Sequence, residues 1–247
     1  MSAPATQAVK ATIQSRPPIQ RTDRIFYCGF SIAAIGAVIA GFGQRYYFPA
    51  LSGTSALPIT THLHALVFSV WMALFAVQTA LIAARHVRLH RTLGILGIVL
   101  AAGILVAGYA ASIAGARTGW VGPNSPRDLT AALGFLTVPL GDLVLFAGLF
   151  SAAIYYRRQP DLHKRLMILT MNGGVLAAPL ARVQLPYGIL IGLGLLFAGP
   201  VYDRYSRGRV HRAYMWGVPL VLFSIPLRLI IGTESEAWSR FAAWLIR

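Results

Sequence analysis

The sequence predicts an all-α fold, a polytopic transmembrane helical bundle of about seven spans with the N-terminus in and the C-terminus out. Three observations lead there. Of 247 residues, 56% are hydrophobic and 12% charged, against about 25% charged in an ordinary soluble domain. Apolar stretches near or above ~18 residues recur, the length a helix needs to span roughly 30 Å of hydrocarbon. The loops between them alternate between strongly basic and nearly neutral, and excess Lys and Arg stays on the cytoplasmic side.

The spans expected are Ile25 to Gly43, Ile59 to Ala84, Thr92 to Ala114, Ala131 to Tyr156, Leu166 to Ala181, Pro186 to Tyr202 and Ala213 to Ile231. They form one seven-helix domain, residues 25–231. Residues 1–24 are polar, contain Pro17 and Pro18, and read as a flexible cytoplasmic tail. Residues 232–247 read as an amphipathic interfacial segment, because Trp238, Phe241 and Leu245 repeat at three and four residues.

The tail and the loops Arg85 to Arg91, Arg157 to Arg165 and Arg204 to Arg212 hold 15 of the 22 lysines and arginines. Placing all four on one side takes an odd number of crossings, which seven satisfies. Tyr46, Tyr47, Trp120, Tyr155, Tyr156, Tyr202, Tyr205, Tyr214 and Trp216 fall near the expected interfaces, where amphipathic rings are favoured.

Composition also excludes functions. The net charge of +15 sits in short loops between apolar runs, not on a folded basic face, so a nucleic-acid partner is not expected; the lipid bilayer is. A retinal Schiff base needs a lysine in the last span, but the lysines are Lys10 and Lys164. A phosphate loop, a His-Glu-x-x-His motif and a Gly-x-Ser-x-Gly elbow are absent. The single cysteine, Cys28, allows no intrachain disulfide.

Two groups of residues carry possible chemistry. Leu89-His90-Arg91, Leu162-His163-Lys164 and Val210-His211-Arg212 each open an inside-to-outside span. If those helices are neighbours, His90, His163 and His211 converge at the cytoplasmic edge. His86 adds a fourth imidazole one turn before His90. Neutral imidazole ligates haem iron, zinc or copper, and a b-type haem needs little beyond two facing histidines and an apolar slot. Interfacial anchoring of His-Arg and His-Lys pairs accounts for the same pattern.

The second group lies in the outer half. Asp142 falls well inside the fourth span, and charges at such depth cost roughly 2.5 to 3.5 kcal/mol unless they face partners or water. Arg228 is its expected partner, with Arg182, Gln184 and His64 around the pair as a substrate, quinone or proton site. Helix pairing explains the same residues. His62 and His64 lie on opposite faces of a regular helix, so only one points inward. Asn172, Gly173, Gly174 and Pro179 mark a helix that packs closely or bends.

The strings Leu162-His163-Lys164-Arg165-Leu166-Met167 and His211-Arg212-Ala213-Tyr214-Met215-Trp216-Gly217-Val218-Pro219 stand with Thr61-His62-Leu63-His64 and Leu89-His90-Arg91-Thr92-Leu93-Gly94. Together they resemble an uncharacterised family of bacterial multi-pass membrane proteins. More remotely they are similar to oxidase-assembly membrane proteins and b-type membrane cytochromes. The resemblance implies a multi-pass protein of the bacterial plasma (inner) membrane and implies no activity. Three functions are therefore expected in turn. The first is a redox-associated protein holding a b-type haem, a quinone or a metal near the cytoplasmic edge. The second is a small-molecule or proton transporter built on the outer site. The third is a non-catalytic assembly subunit with another membrane protein as partner.

Overall fold

The computed structural model describes residues 21–53, 57–118 and 128–247. Most of the expected tail, together with Trp120 and Arg127, lies outside the described residues. Every regular element among them is helical. Helix α1 (Arg21–Phe42) passes through a π-helical turn (Gly43–Tyr47) into the short α2 (Phe48–Leu51). Helices α3 (Ile59–Ala83) and α4 (Val87–Thr118) form a hairpin, and α5 (Leu129–Phe135) with α6 (Thr137–Tyr155) makes one interrupted rod. The chain continues through α7 (Pro160–Gly174), α8 (Ala177–Leu180), α9 (Tyr187–Arg207), α10 (Arg212–Glu234) and α11 (Glu236–Leu245).

Five helical stretches are long and apolar enough to cross a membrane: Arg21–Leu51, Ile59–Ala83, Val87–Thr118, Leu129–Tyr155 and Arg212–Glu234. Their outward positions are apolar, with Val106 and Val144 each 71% exposed. Lipid, unlike water, makes such a surface stable.

The stretches expected as spans five and six are built differently, for local reasons. The fifth begins earlier, at Pro160, and α7 has only 15 residues, the first of them including Asp161, Lys164 and Arg165. It stops at Gly174 because two adjacent glycines favour the helix poorly, and Pro179 has no N–H for the Val175 carbonyl. In α9, 21 residues reach about 31 Å, but the last turns carry Asp203, Arg204 and Arg207.

The basic connections are also tighter than expected. Only residues 84–86, 156–159 and 208–211 separate the helices there. Gly208 closes α9 with a left-handed φ of 70°, which its missing Cβ permits. Arg21 to Arg24, expected in the tail, form the first turn of α1, and Asp23 is buried. Asp23 touches Lys164 and Arg207, and His90 lies beside His163. The basic segments thus gather at one end of the bundle, and Arg45, Arg182 and α11 lie at the other.

The main core joins Phe30, Trp71, Phe75, Phe146, Phe150, Leu169, Leu176 and Val218. Trp71 meets Phe146 and Phe150 edge-on at 5.2 and 5.3 Å. A smaller cluster of Ile113, Ala116, Leu136 and Ala242 seats α11. There Trp238 Nε1 donates to the Leu133 carbonyl at 2.9 Å and Arg117 Nε to the Ile246 carbonyl at 2.6 Å. Trp238 and Leu245 turn inward while Phe241 stays half exposed, so the expected three-residue stripe divides between bundle and surroundings.

Small residues let the helix backbones meet. Gly134 and Gly232 face each other so closely that a Cβ on Gly232 would sit 2.3 Å from the Gly134 carbonyl oxygen. A Cβ on Gly141 would fall 1.9 Å from Arg228 Cδ, whereas one on Gly148 would meet nothing within 4 Å. Gly141→Ala is therefore expected to lower unfolding stability in detergent by about 2–4 kcal/mol, through overpacking and a disturbed ion pair. Gly148→Ala should be neutral or stabilising by up to about 1 kcal/mol. Equal effects of the two would contradict this packing.

Candidate functional site

At the basic end the first residues of α7 decide the arrangement. Arg165, 1% exposed, lies across Asp203 in a two-pronged pair: Nε donates to Oδ2 and Nη2 to Oδ1, both at 2.7 Å. Asp203 also accepts from Arg207 Nη1 at 3.1 Å and from the His211 backbone N–H at 3.2 Å. Arg207 reaches on to Asp23 at 2.8 Å, and Asp23 takes Lys164 Nζ at 2.9 Å and the Tyr202 hydroxyl. Asp161 closes the set on Lys164 at 3.1 Å. Burial would push the Asp161 carboxyl up, but hydrogen bonding and charge from Lys164 and Arg165 hold it below the usual range.

Sequence reasoning treated these cations as topology signals and missed the acids. Asp161 three residues before Lys164, and Asp203 four before Arg207, were the available clues, since both spacings place side chains together on a helix. The partners across helices left no trace in the sequence.

With Lys164 and Arg165 turned toward carboxylates, His163 lies free of their charge. Its Nδ1 donates to the Ala153 carbonyl at 2.8 Å, the tautomer following from a carbonyl that can only accept. That leaves Nε2 carrying a lone pair. His90 lies opposite, with ring centres 6.4 Å apart and planes at 79°. His90 Nδ1 is buried without any partner. His163 thus has one nitrogen fixed by a carbonyl and one unengaged, the pattern that orients histidine ligands on metals.

His211 and His86 do not join this pair. His211 is the N-cap of α10, where its Nδ1 accepts the Ala213 N–H at 3.1 Å. Burial, then the Arg165 charge, holds the His211 imidazole below its usual range. His86 is exposed in the turn between α3 and α4.

At the far end, Arg228 Nη1 meets Asp142 Oδ1 at 2.6 Å. The guanidinium also donates to the Val138 and Ser224 carbonyls at 2.7 and 3.0 Å. Among the described residues, no hydrogen bond or ion pair links Arg182, Gln184 or His64 to that pair. Gln184 is exposed. Arg182 lies over the Phe42 ring at 4.8 Å. His64 stacks near Phe68 at 4.3 Å, and its Nδ1 is buried without a partner. His62 turns the other way, to the Tyr46 hydroxyl at 3.1 Å.

Fold and site together define an all-helical protein with five helices fit to cross a membrane, carrying a buried ionic cluster and an adjoining histidine pair. No family model, curated protein or solved structure matches the chain.

The capping geometry has a direct consequence for stability. His211→Ala should cost about 1 kcal/mol, and His211→Asn, which also caps, should restore it. Because the folded imidazole holds its proton less tightly than the unfolded one, the His211 contribution is complete above pH ~6.5 and lost as pH falls below it. Thermal unfolding of the three proteins at pH 8 and pH 5.5 checks this: the gap between wild type and His211→Ala should narrow at the lower pH.

Proposed function

We propose that the chain is a redox-associated protein of the bacterial inner membrane, crossing it seven times, that holds one b-type haem between His90 and His163. The observation that carries this reading is the geometry of the two rings. An imidazole nitrogen lies about 1.1 Å from its ring centre and metal–nitrogen bonds are about 2.0–2.1 Å. Two imidazoles on one ion therefore set their ring centres about 6.3 Å apart, close to the 6.4 Å between His90 and His163.

The ligand set favours haem over an isolated ion. Among the described residues no three His, Cys, Asp or Glu side chains gather for a metal, whereas zinc takes three or four protein ligands. A haem would need no more from the chain than the two imidazoles of His90 and His163. His90 and His163 would hold such a group from the chain, and it would supply single-electron transfer there. His163 is held by the Ala153 carbonyl, so its ring is oriented before anything binds. Arg88 and Arg91 are exposed beside His90 and have no acidic partner, which suits the carboxylates of such a group.

The topology part of the proposal rests on the same end of the molecule. Counting α7 with α8 as one passage and α9 as another gives seven, with the basic end inside and residue 247 outside.

Protein purified from haem-replete cells should show a Soret band that shifts on reduction. His90→Ala and His163→Ala should each abolish the low-spin spectrum, while His211→Ala and His86→Ala leave it unchanged. A colourless wild-type protein, or a spectrum indifferent to His163→Ala, would remove the assignment.

A further inference from the structure

At the far end two arginines lie together, and among the described residues no acidic side chain pairs with either. Arg45 belongs to the π-helical turn that follows α1, and its Nη1 donates to the backbone carbonyl of Arg182 at 3.1 Å. Arg182, half-buried just after α8, donates Nη1 to the Ala178 carbonyl at 2.8 Å and rests its guanidinium on the Phe42 ring. Burial and the neighbouring Arg45 both push Arg182 below the usual guanidinium range.

All seven Asp and Glu residues of the chain are described, and none pairs with either arginine. Asp23, Asp161 and Asp203 are at the basic end, Asp142 is on Arg228, Glu236 is on Arg240, and Glu234, the last residue of α10, makes no ion pair among the described residues. Asp128 caps α5. Like charges brought together at the edge of a low-dielectric bundle repel strongly unless something compensates them. Here the fold spends a π-helical turn, a rare feature that recurs at functional sites, on the segment that carries Arg45. His64, near the start of α3, keeps a buried ring nitrogen without a partner.

Each arginine leaves most of its five N–H donors free, in a planar fork that matches a tetrahedral or carboxylate oxyanion. We propose that Arg45 and Arg182 form an anion site for a phosphate group, presented at the far membrane surface. Phosphate can arrive as the headgroup of an anionic phospholipid or as a free ion. The site is independent of the histidine pair, which lies at the opposite end of the bundle.

The test is thermal unfolding of the full chain in detergent, titrated separately with phosphatidylglycerol, phosphatidylcholine and inorganic phosphate. Arg45→Met, Arg182→Met and the double variant keep side-chain length and remove charge. The wild type should gain a saturable rise in midpoint with phosphatidylglycerol. Each single variant should weaken the apparent affinity about tenfold, the loss of roughly one charge-assisted contact. A response to phosphatidylglycerol alone assigns a lipid headgroup, and a comparable response to inorganic phosphate assigns a free anion. No response to either, or an equal response from the folded double variant, overturns the proposal. Arg117→Met, at the same end but bonded to the Ile246 carbonyl, serves as the control that should titrate like wild type.

Discussion

The pair between Arg165 and Asp203 is the interaction on which the basic end depends. Both side chains are about 1% exposed, so neither charge has water to fall back on. Removing charges from water costs several kcal/mol each, and only near-ideal geometry with further hydrogen bonds offsets that. The structure supplies both: two parallel bonds of 2.7 Å, a third from Arg207 and a fourth from the His211 backbone. These bonds fix α7 against α9 and the entry to α10 at one point. Arg207 then carries the constraint to Asp23 and so to α1. The position of His163 follows, because its two cationic neighbours are drawn away toward carboxylates.

Membrane helices gain little from burying apolar surface against one another, since lipid is as apolar as leucine. The bundle therefore relies on close backbone approach and on satisfied polar pairs. The seam between α10 and the rod of α5 and α6 uses both. Gly134 and Gly232 bring the backbones together, and Gly141 leaves space for Arg228 to lie across α6 and reach Asp142. Arg228 also bonds two backbone carbonyls, which leaves it engaged on every side. That closed arrangement reads as helix pairing, whereas Arg45 and Arg182 keep donors free.

The sequence disclosed the five long apolar helices, the far-end partnership of Asp142 with Arg228, and the approach of His90 to His163. The first follows from run length, the second from the cost of a deep charge, and the third from a start signal shared by three helices. Other features depend on which helices are neighbours, which a one-dimensional pattern does not encode. His211 carries the same signal as His163 but stands at the N-cap of its helix, where its ring takes the Ala213 N–H, whereas His163 is the fourth residue of α7. Asp23 read as part of a polar tail because its partners, Lys164 and Arg207, come from distant segments. Arg182 separates from Asp142 because α7 ends at Gly174 and the chain turns before α8.

The most direct measurement of this account is a double-mutant cycle on Arg165→Met and Asp203→Leu, read as unfolding free energy in mixed micelles. Each single change strands a buried charge, so each should cost about 3–5 kcal/mol, while the double variant should lose far less than their sum. Additive losses would mean that the pair is not the constraint holding α7, and the argument for the position of His163 would fall with it.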